Sequence, residues 1–304
     1  MADEGATARL IEVDGHAIRV THPDKVLYPS TGTTKAQVIG YFLRIAPHLV
    51  PLATGRPATR KRWVDGVGTA EAPGQSFFQH DLEATAPTWI HRGVQHHRER
   101  DDTYPLVDDA ATLAWLAQMT TLEIHVPQWR FDVAGAPGRP DRLVVDLDPG
   151  EGTGLGECAG VAGLVREALG DLGLGAVPVT SGSKGIHVYA PLDGRWTSEE
   201  VDDLAHGMAL SLAGAHPESV TATMHRADRV GRVMIDWSQN NAHKTTVVPY
   251  SLRGSLRPTV AMPRTWEEIE DPGLRQVGFD EVDDLLATRG DPAEVLAGGP
   301  GRRG

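Results

Sequence analysis

The sequence predicts an α/β fold with mixed strand connections, and three observations carry this prediction. Its 304 residues suffice for one large α/β domain or two smaller ones with an ample core. Short apolar runs typical of strands alternate with longer amphipathic stretches typical of helices. A glycine-containing turn joins the apolar runs 177–181 and 186–190, so the sheet need not be purely parallel.

The elements follow in chain order from caps and periodicity. A helix is predicted to begin near Thr34, because Thr34 and Gln37 have capping-box spacing and apolar residues follow at helical intervals. A second helix over 110–120 follows the capping residues Asp108 and Asp109. The other predictions are strands over 122–126, 142–148, 177–181, 186–190, 233–237 and 245–250, helices over 156–172 and 197–213, and final helices near Trp266 and Phe279.

Two aspartates, Asp146 and Asp148, end an apolar run. Residues two apart in a strand point to the same face, so both carboxylates project together. Like charges this close are unfavourable unless a cation neutralises them, and oxygen ligands suit Mg²⁺ or Mn²⁺. A second apolar strand supplies Asp236, which predicts a two-metal site for phosphoryl transfer. The alternative is that one aspartate of the pair caps a helix and the other is a solvated strand end.

A segment rich in small residues lies between these strands and contains Ser181, Ser183, Lys184, Gly185 and His187. Its glycines let backbone N–H groups approach an anion closely, and its hydroxyls can donate to phosphate oxygens. The lysine supplies a point charge suited to a triphosphate, and the histidine could donate to the same group. The segment lacks Walker A spacing, and it could also be an ordinary turn between strands.

The net charge of −12 is unfavourable for a nucleic-acid-binding protein, because such proteins tend to be basic. A local basic track would be sufficient for binding, and the candidate track consists of Arg56, Arg60, Lys61 and Arg62. The alternative is that these residues are a solvated charge run.

The single cysteine, Cys158, excludes an internal disulfide and is expected to be buried and inert. No apolar run reaches the length of a membrane span, and no signal peptide is recognisable.

Several motifs together resemble the polymerase domain of bacterial ligase D and related stand-alone primase-polymerases of the archaeo-eukaryotic primase superfamily. The resemblance covers about residues 18–290 and rests on the segments 22–29 (HPDKVLYP), 56–63 (RPATRKRW), 125–130 (HVPQWR), 146–150 (DLDPG), 181–187 (SGSKGIH), 236–240 (DWSQN) and 249–253 (PYSLR). It implies a primase-polymerase fold whose central mixed sheet carries the acidic site and is flanked by helices.

The resemblance also implies roles for individual residues. The metal ligands would be Asp146, Asp148 and Asp236. The nucleotide contacts would be Ser181, Ser183, Lys184, Gly185, His187, His125 and Arg253. The DNA contacts would be Lys25 and Lys35 at a downstream 5′-phosphate, Phe77 and Phe78 stacked beside a gap, Arg60 in the basic track, and Arg229 in the loop 226–232. A second loop, 91–103, would help to bring two DNA ends together.

The implied function is a primase-type polymerase that fills short gaps or extends ends in DNA repair, prefers ribonucleotides, and uses two Mn²⁺ or Mg²⁺ ions. The expected partners are gapped or 5′-phosphorylated DNA, nucleoside triphosphates, a separate DNA ligase and end-binding proteins, but no membrane, in a cytoplasmic, nucleoid-associated setting. Residues 9–130 would bind DNA ends and 131–295 would form the catalytic core, between a disordered segment 1–8 and a flexible tail 296–304. A K-x-D-G ligation motif is absent, so the chain is either stand-alone or part of a larger ligase.

Three alternatives stay open at this point. A haloacid-dehalogenase-type phosphatase also ends an apolar strand in D-x-D, although Gly150 stands where that family has Thr or Val. A DNA-end-binding module without catalysis would explain the DNA motifs but not the acidic triad. A primase that starts chains unaided shares the whole site.

Overall fold

The computed structural model describes residues 8–96 and 101–298. The strands of these residues are β1 Arg9–Val13, β2 His16–Val20, β3 Val26–Tyr28, β4 Thr33–Thr34, β5 Thr59–Arg62, β6 Phe77–Gln79, β7 Arg92–His96, β8 Asp101–Pro105, β9 Thr121–Val126, β10 Trp129–Phe131, β11 Pro137–Pro140, β12 Arg142–Pro149, β13 Val177–Thr180, β14 Ile186–Pro191, β15 Val220–Thr221, β16 Val233–Asp236, β17 Thr246–Val247, β18 Thr259–Val260, β19 Met262–Pro263 and β20 Val277–Gly278. The α-helices are α1 Lys35–Ala53, α2 Ala110–Gln118, α3 Leu155–Asp171, α4 Ser198–Ala215, α5 Trp266–Glu270, α6 Val282–Arg289 and α7 Glu294–Ala297.

The predicted helix caps are confirmed by hydrogen bonds. The Thr34 hydroxyl accepts from the Gln37 N–H at 3.4 Å, and the Gln37 side chain accepts from the Thr34 N–H at 2.8 Å. The carboxylate of Asp109 accepts from the N–H of Thr112 at the start of α2. These caps satisfy N–H groups that have no partner within the helix, which is why the helices begin where the sequence predicted.

A six-stranded sheet in the order β15-β16-β12-β14-β13-β19 forms the centre of the fold. The pair β15–β16 is parallel, whereas β12 runs antiparallel to both β14 and β16. The sheet is therefore mixed, as predicted, and the strand that carries the first two aspartates lies in its interior. The helices α3 and α4 pack against this sheet.

The two faces of β12 have different roles. Leu143, Val145 and Leu147 are fully buried in the hydrophobic cluster that β12 shares with α3 and α4. Burying each such side chain contributes about 1.5–3 kcal/mol, so this face sets the register of the strand. Asp146 and Asp148 alternate with these residues and therefore lie on the opposite face, away from the helices.

A second sheet, in the order β17-β9-β5-β6, lies in the other hydrophobic cluster together with α1 and α2. This cluster also contains Val144 of β12 and Tyr189 of β14, so it packs against the same face of the central sheet that bears the aspartates. The strand β9 runs between β5 and β17 and carries His125. The site therefore lies between the two sheets.

Three local predictions differ from the structure. The segment 91–103, predicted as a surface loop, contains the paired strands β7 and β8, and its residues 97–100 lie outside the described part. The predicted strand 245–250 is reduced to Thr246–Val247, because Pro249 has no N–H to donate and Tyr250 has a left-handed φ of 72°. The hairpin of β1 and β2 was not predicted. In the described residues no helix is both long and apolar enough to cross a membrane.

Candidate active site

A row of three polar side chains crosses the middle of the central sheet. Asp146 of β12 pairs directly with His187 of β14 on one side and with Asp236 of β16 on the other. Directly opposite residues project to the same face of a sheet, about 4.5–5.5 Å apart at Cβ. Asp148 lies two residues further along β12 on this face. Strand register thus brings together residues that are 90 positions apart in the sequence.

The carboxylates of Asp146 and Asp148 are held in an environment that disfavours their charge. Burial, followed by the charge of Asp236, raises the pKa of Asp146 to about 7. Burial, followed by the charge of Asp146, raises the pKa of Asp148 to about 6. Burial and then the charge of Arg253 lower the pKa of His187 to about 3, so His187 is neutral. Close carboxylates of this kind are a donor set that a divalent cation would stabilise.

The third aspartate is engaged by its own short 3-10 helix, Trp237–Asn240. Its Oδ1 accepts from the backbone N–H of Ser238 at 3.0 Å and from the hydroxyl of that serine at 2.5 Å, and its Oδ2 accepts from Gln239 at 3.0 Å. Among residues 8–96 and 101–298, no three His, Cys, Asp or Glu side chains stand in an arrangement that could hold one metal ion. The three predicted ligands share one face, but the expected three-carboxylate cluster is not preformed.

The loop between β13 and β14, residues 181–185, is here called the phosphate turn. Its N–H groups are held in part by the Ser181 hydroxyl, which accepts from Ser183 N at 3.2 Å and from Gly185 N at 3.1 Å. A Cβ on Gly185 would lie 1.9 Å from the carbonyl oxygen of Leu147, so only glycine allows the turn to pack this closely on β12. This contact places the turn beside the aspartates.

A cleft with a cavity volume of about 200 Å³ unites most of the predicted site. Its lining contains two aspartates, two histidines, the phosphate turn and one arginine: Asp146, Asp148, His125, His187, Ser181, Ser183, Lys184 and Arg253. Within the described part of the chain, two buried atoms of these residues, His187 Nδ1 and Arg253 Nε, lack a hydrogen-bond partner. Buried polar atoms are rarely left unpaired, so the cleft fits a polar ligand.

A buried glutamate under the cleft holds several of these residues. Glu123 accepts a hydrogen bond from His125 Nε2 at 2.8 Å and one from the backbone N–H of Gly254 at 3.0 Å. Its carboxylate also lies 3.6 Å from Arg253 Nε and 3.9 Å from Lys61 Nζ. Burial alone raises the pKa of Glu123, but the hydrogen bond from His125 and the charge of Arg253 outweigh burial and lower the pKa to about 2.

An exposed aromatic pair lies at the edge of the second sheet. Phe77 and Phe78 of β6 are 46% and 53% exposed, so neither ring belongs to the hydrophobic core. The ring of Phe78 lies 5.5 Å from the ring of His125 in an edge arrangement, and Lys61 Nζ lies 5.3 Å from its centre. Phe78 is therefore available for stacking next to the cleft, whereas Phe77 lies on the opposite face of the strand, 5.4 Å from the guanidinium of Arg62, and the binding of either ring to DNA stays a prediction.

Two arginines of the predicted basic track, Arg56 and Arg60, are buried in ion pairs. Arg60 is fully buried, and its guanidinium donates to Glu83 at 2.8 Å. Arg56 is also fully buried and pairs with Asp141. Within β5, Arg60 and Lys61 lie on opposite faces, because successive strand positions alternate between faces. Arg60 is therefore not accessible to DNA. Lys61 of the same track is partly exposed, and its ammonium lies 3.9 Å from Glu123 under the cleft.

The two lysines predicted at a 5′-phosphate are neighbours, since the Lys35 N–H donates to the carbonyl of Lys25 at 2.8 Å. Neither side-chain charge is free in this arrangement. Lys25 Nζ pairs with Asp65 at 2.8 Å, and Lys35, only 4% exposed, donates to the carbonyl of Thr21 at 2.7 Å. Burial and then the charge of Lys25 lower the pKa of Lys35 to about 8.

The loop 226–232 lies against the end of β12. A Cβ on Gly150 would lie 1.8 Å from the carbonyl oxygen of Arg229, so this close contact requires glycine. The residues Arg226–Arg229 form a 3-10 helix, and the side chain of Arg229 donates to the carbonyl of Met224. The structure thus places Arg229 near the acidic strand, and its role in binding DNA stays a prediction.

Cys158 is buried and its pKa is raised to about 12, chiefly by burial, which fits the predicted inert thiol.

Four contributors to the site were missed by reasoning from the sequence. They are Glu123, which holds the cleft residues, Gln239 and Lys244, which surround Asp236, and Gln276, which contacts the phosphate turn. An isolated Glu, Gln or Lys carries no spacing signal, because its partners come from distant segments. The segment Ser238–Gln239 next to Asp236 was the one available hint.

This chain is similar over most of its length to known proteins. A family model described as the LigD primase-polymerase domain matches residues 34–293. The multifunctional non-homologous end joining protein LigD of Mycolicibacterium smegmatis is 51% identical over 274 residues, which are 90% of this chain and 35% of that protein. The corresponding DNA repair protein of Mycobacterium tuberculosis is 49% identical over 284 residues, 92% of this chain and 37% of its own length.

The chain thus spans about a third of the length of these curated relatives. Among solved structures, the polymerase domain from Mycobacterium tuberculosis ligase D in complex with DNA matches with a TM-score of 0.88 and 49% identity. That match covers 92% of this chain and 98% of the other.

Proposed function

Since the chain belongs to the LigD primase-polymerase domain family and is therefore a nucleotidyltransferase of the polymerase type, we propose that it fills short gaps or extends ends in DNA during repair by non-homologous end joining. The substrates are gapped or broken DNA with a 5′-phosphate and nucleoside triphosphates. A DNA ligase, in the same polypeptide or in a separate one, and end-binding proteins act with it. The family assignment excludes the phosphatase and the non-catalytic module.

One observation carries this proposal. The cleft between the two sheets brings an acidic pair, a lysine on a glycine-rich turn, and an arginine to one cavity. Acidic and basic side chains in one polar cavity are the combination that a triphosphate with its counter-ions requires. The exposed ring of Phe78 beside the cleft offers a face on which bases of any sequence can stack.

The family is metal-dependent in general, and the donor set of this chain fits divalent cations. Asp146 and Asp148, with raised pKa values, together with Asp236 on the same face, would hold two Mn²⁺ or Mg²⁺ ions. Bound ions of this kind neutralise the carboxylates and stabilise in-line phosphoryl transfer. Binding by Asp236 competes with the hydrogen bonds that its carboxylate accepts from Ser238 and Gln239.

The other groups of the cleft bind and orient the nucleotide. Lys184 and the serine hydroxyls of the phosphate turn contact the triphosphate, and Arg253 adds a positive charge from the opposite segment. Because His125 Nε2 donates to a carboxylate, its Nδ1 is left as an acceptor. A 2′-hydroxyl can donate to that nitrogen, which supports a preference for ribonucleotides.

The test is incorporation into DNA with a one-nucleotide gap, by wild type and Asp148→Ala, with ribo- or deoxynucleotides and with Mn²⁺ or Mg²⁺. We expect the wild type to incorporate nucleotides, and to do so faster with ribonucleotides than with deoxynucleotides. Folded Asp148→Ala should retain less than about a tenth of the wild-type rate, because losing one metal ligand removes transition-state stabilisation. Equal ribo- and deoxynucleotide rates contradict the sugar preference. Synthesis on a template without a primer would favour the primase alternative.

A further inference from the structure

We infer that Gln276 is a positioning residue for the nucleotide triphosphate, because its side-chain amide holds the phosphate turn in its binding conformation. The inference rests on the proposed function for the identity of the ligand. Gln276 lies in the C-terminal segment that leads into β20, more than 90 residues from the turn in sequence.

The amide of Gln276 contacts both ends of the turn. Its Oε1 accepts from the backbone N–H of Gly182 at 2.7 Å, and its Nε2 donates to the carbonyl of Gly185 at 3.3 Å. The first distance is that of a strong hydrogen bond and the second that of a weaker one. One planar group therefore fixes the separation between the second and the last residue of the turn.

The turn supplies its other hydrogen bonds from within. Ser181 N donates to Gly185 O at 2.9 Å, and the Ser181 hydroxyl accepts from Ser183 N and Gly185 N. The N–H of Gly182 is satisfied from outside, by Gln276. Loss of this acceptor would leave a partly buried N–H without its partner unless the turn moves, and an unpaired buried N–H is unfavourable.

Gly182 also contacts a second segment of the chain, the strand β18. It has a φ of +71°, and a Cβ at this position would lie 2.7 Å from the backbone of Val260. The Thr259 hydroxyl donates to the carbonyl of Gly182. Thr259 belongs to β18, which pairs with β20 directly after Gln276. The two-stranded sheet of β18 and β20 thus holds both the N–H and the carbonyl of one glycine.

The segment that carries Gln276 is itself braced. Arg275 donates to Glu281 at 2.9 Å, and Glu281 accepts from the backbone N–H of Gly278 at 2.9 Å. Val277, the next residue, is 2% exposed and belongs to the main hydrophobic cluster. The backbone that carries the Gln276 side chain is therefore held by hydrogen bonds and by the packing of Val277.

The consequence for function is specific to nucleotide binding. Ser183 and Lys184 line the cleft and point from the turn, so their positions depend on the conformation that Gln276 holds at Gly182. A turn that samples other conformations binds the nucleotide with a lower apparent affinity, since only the competent fraction binds. The exposed rings of β6, which are the predicted DNA contacts, belong to the other sheet, so we expect DNA affinity not to depend on this contact.

The experiment compares wild type, Gln276→Met and a matched control, Gln118→Met. Methionine fills the same space without either hydrogen bond. Gln118 likewise makes two side-chain hydrogen bonds to a distant segment, accepting from Thr21 N at 3.0 Å and donating to Thr21 Oγ1 at 2.8 Å. Nucleotide KM, kcat, DNA affinity and thermal midpoint are measured on a primer–template without a downstream strand. Hydrogen–deuterium exchange of the turn amides is measured in parallel.

We expect Gln276→Met to raise the nucleotide KM by roughly five- to ten-fold, the effect of losing one or two neutral hydrogen bonds, with kcat nearly unchanged. DNA affinity and thermal midpoint should match those of Gln118→Met, and the Gly182 amide should exchange faster in Gln276→Met alone. A wild-type KM in Gln276→Met, or an equal rise in Gln118→Met, overturns the inference. If the wild type incorporates no nucleotide, the proposed function fails. An unchanged exchange rate of the Gly182 amide in Gln276→Met refutes the positioning role of Gln276 independently of any activity.

Discussion

Replacing Glu123 by glutamine should destabilise the protein at neutral pH and leave it nearly unaffected in strong acid. The side chain is 4% exposed and faces the charged or titratable groups of His125, Arg253, Lys61 and Tyr28. Glutamine keeps the size and one acceptor but removes the negative charge. The guanidinium of Arg253 and the ammonium of Lys61 then lose their buried counter-charge.

The magnitude follows from the pKa of Glu123, which is lowered from 4.5 to about 2. This difference corresponds to about 3 kcal/mol of stability, an order-of-magnitude value. Because the pKa in the folded state is depressed, the carboxylate contributes this stability above pH 4.5 and loses it as the pH falls toward about 2. Burial lowers the pKa of neighbouring His125, although the hydrogen bond to Glu123 acts in the opposite direction.

The assay is urea unfolding of wild type and Glu123→Gln at pH values from about 3 to 7.5, with the difference in unfolding free energy plotted against pH. The gap should be about 3 kcal/mol at pH 7 and should narrow progressively as the pH falls from 4.5 toward about 2. Glu12→Gln, at an exposed strand position, is the control and should change stability by less than about 0.5 kcal/mol. A difference that is small at pH 7, or that stays constant across the range, would refute the reasoning.

Four further predictions follow from the same structure. Lys184→Ala should raise the nucleotide KM roughly ten-fold or more while DNA affinity changes little, because its charge meets the triphosphate; a fall in DNA affinity with an unchanged KM contradicts this. Phe77→Ala and Phe78→Ala should each weaken DNA binding by about 1–3 kcal/mol without lowering the unfolding free energy, since both rings are exposed, and a stability loss instead would mean a structural role. Lys25→Ala should remove most of the tighter binding, about 1–3 kcal/mol, that a downstream 5′-phosphate gives the wild type; a wild type that cannot distinguish the two gapped DNAs shows that there is no phosphate pocket. Arg60→Met should lower the unfolding free energy by about 2–3 kcal/mol, because Glu83 keeps only its pairing with Arg62 and the carbonyl of Asp81 loses its buried donor, but should leave the salt dependence of DNA binding unchanged; a smaller salt slope would restore Arg60 as a DNA contact.

The sequence by itself determined the parts of the protein that depend on neighbouring residues. Capping at Thr34 and the alternation along 142–148 predicted a helix start and the face of a strand, because both depend on residues within one or two turns or pleats. The same local chemistry predicted that Asp146 and Asp148 project together and that the segment from Ser181 forms a turn. These predictions did not require knowledge of any partner strand.

Only the tertiary structure decided which side chains meet across strands. The pairing of Asp146 with Asp236 depends on the register of two strands that are 90 residues apart, and no local pattern encodes that register. Burial is decided in the same way, since Arg60 is a cation in the sequence but a buried ion-pair partner in the fold. Glu123 and Gln276 were invisible for the same physical reason: a single polar side chain acquires its role from backbone and charged groups that long-range packing brings to it.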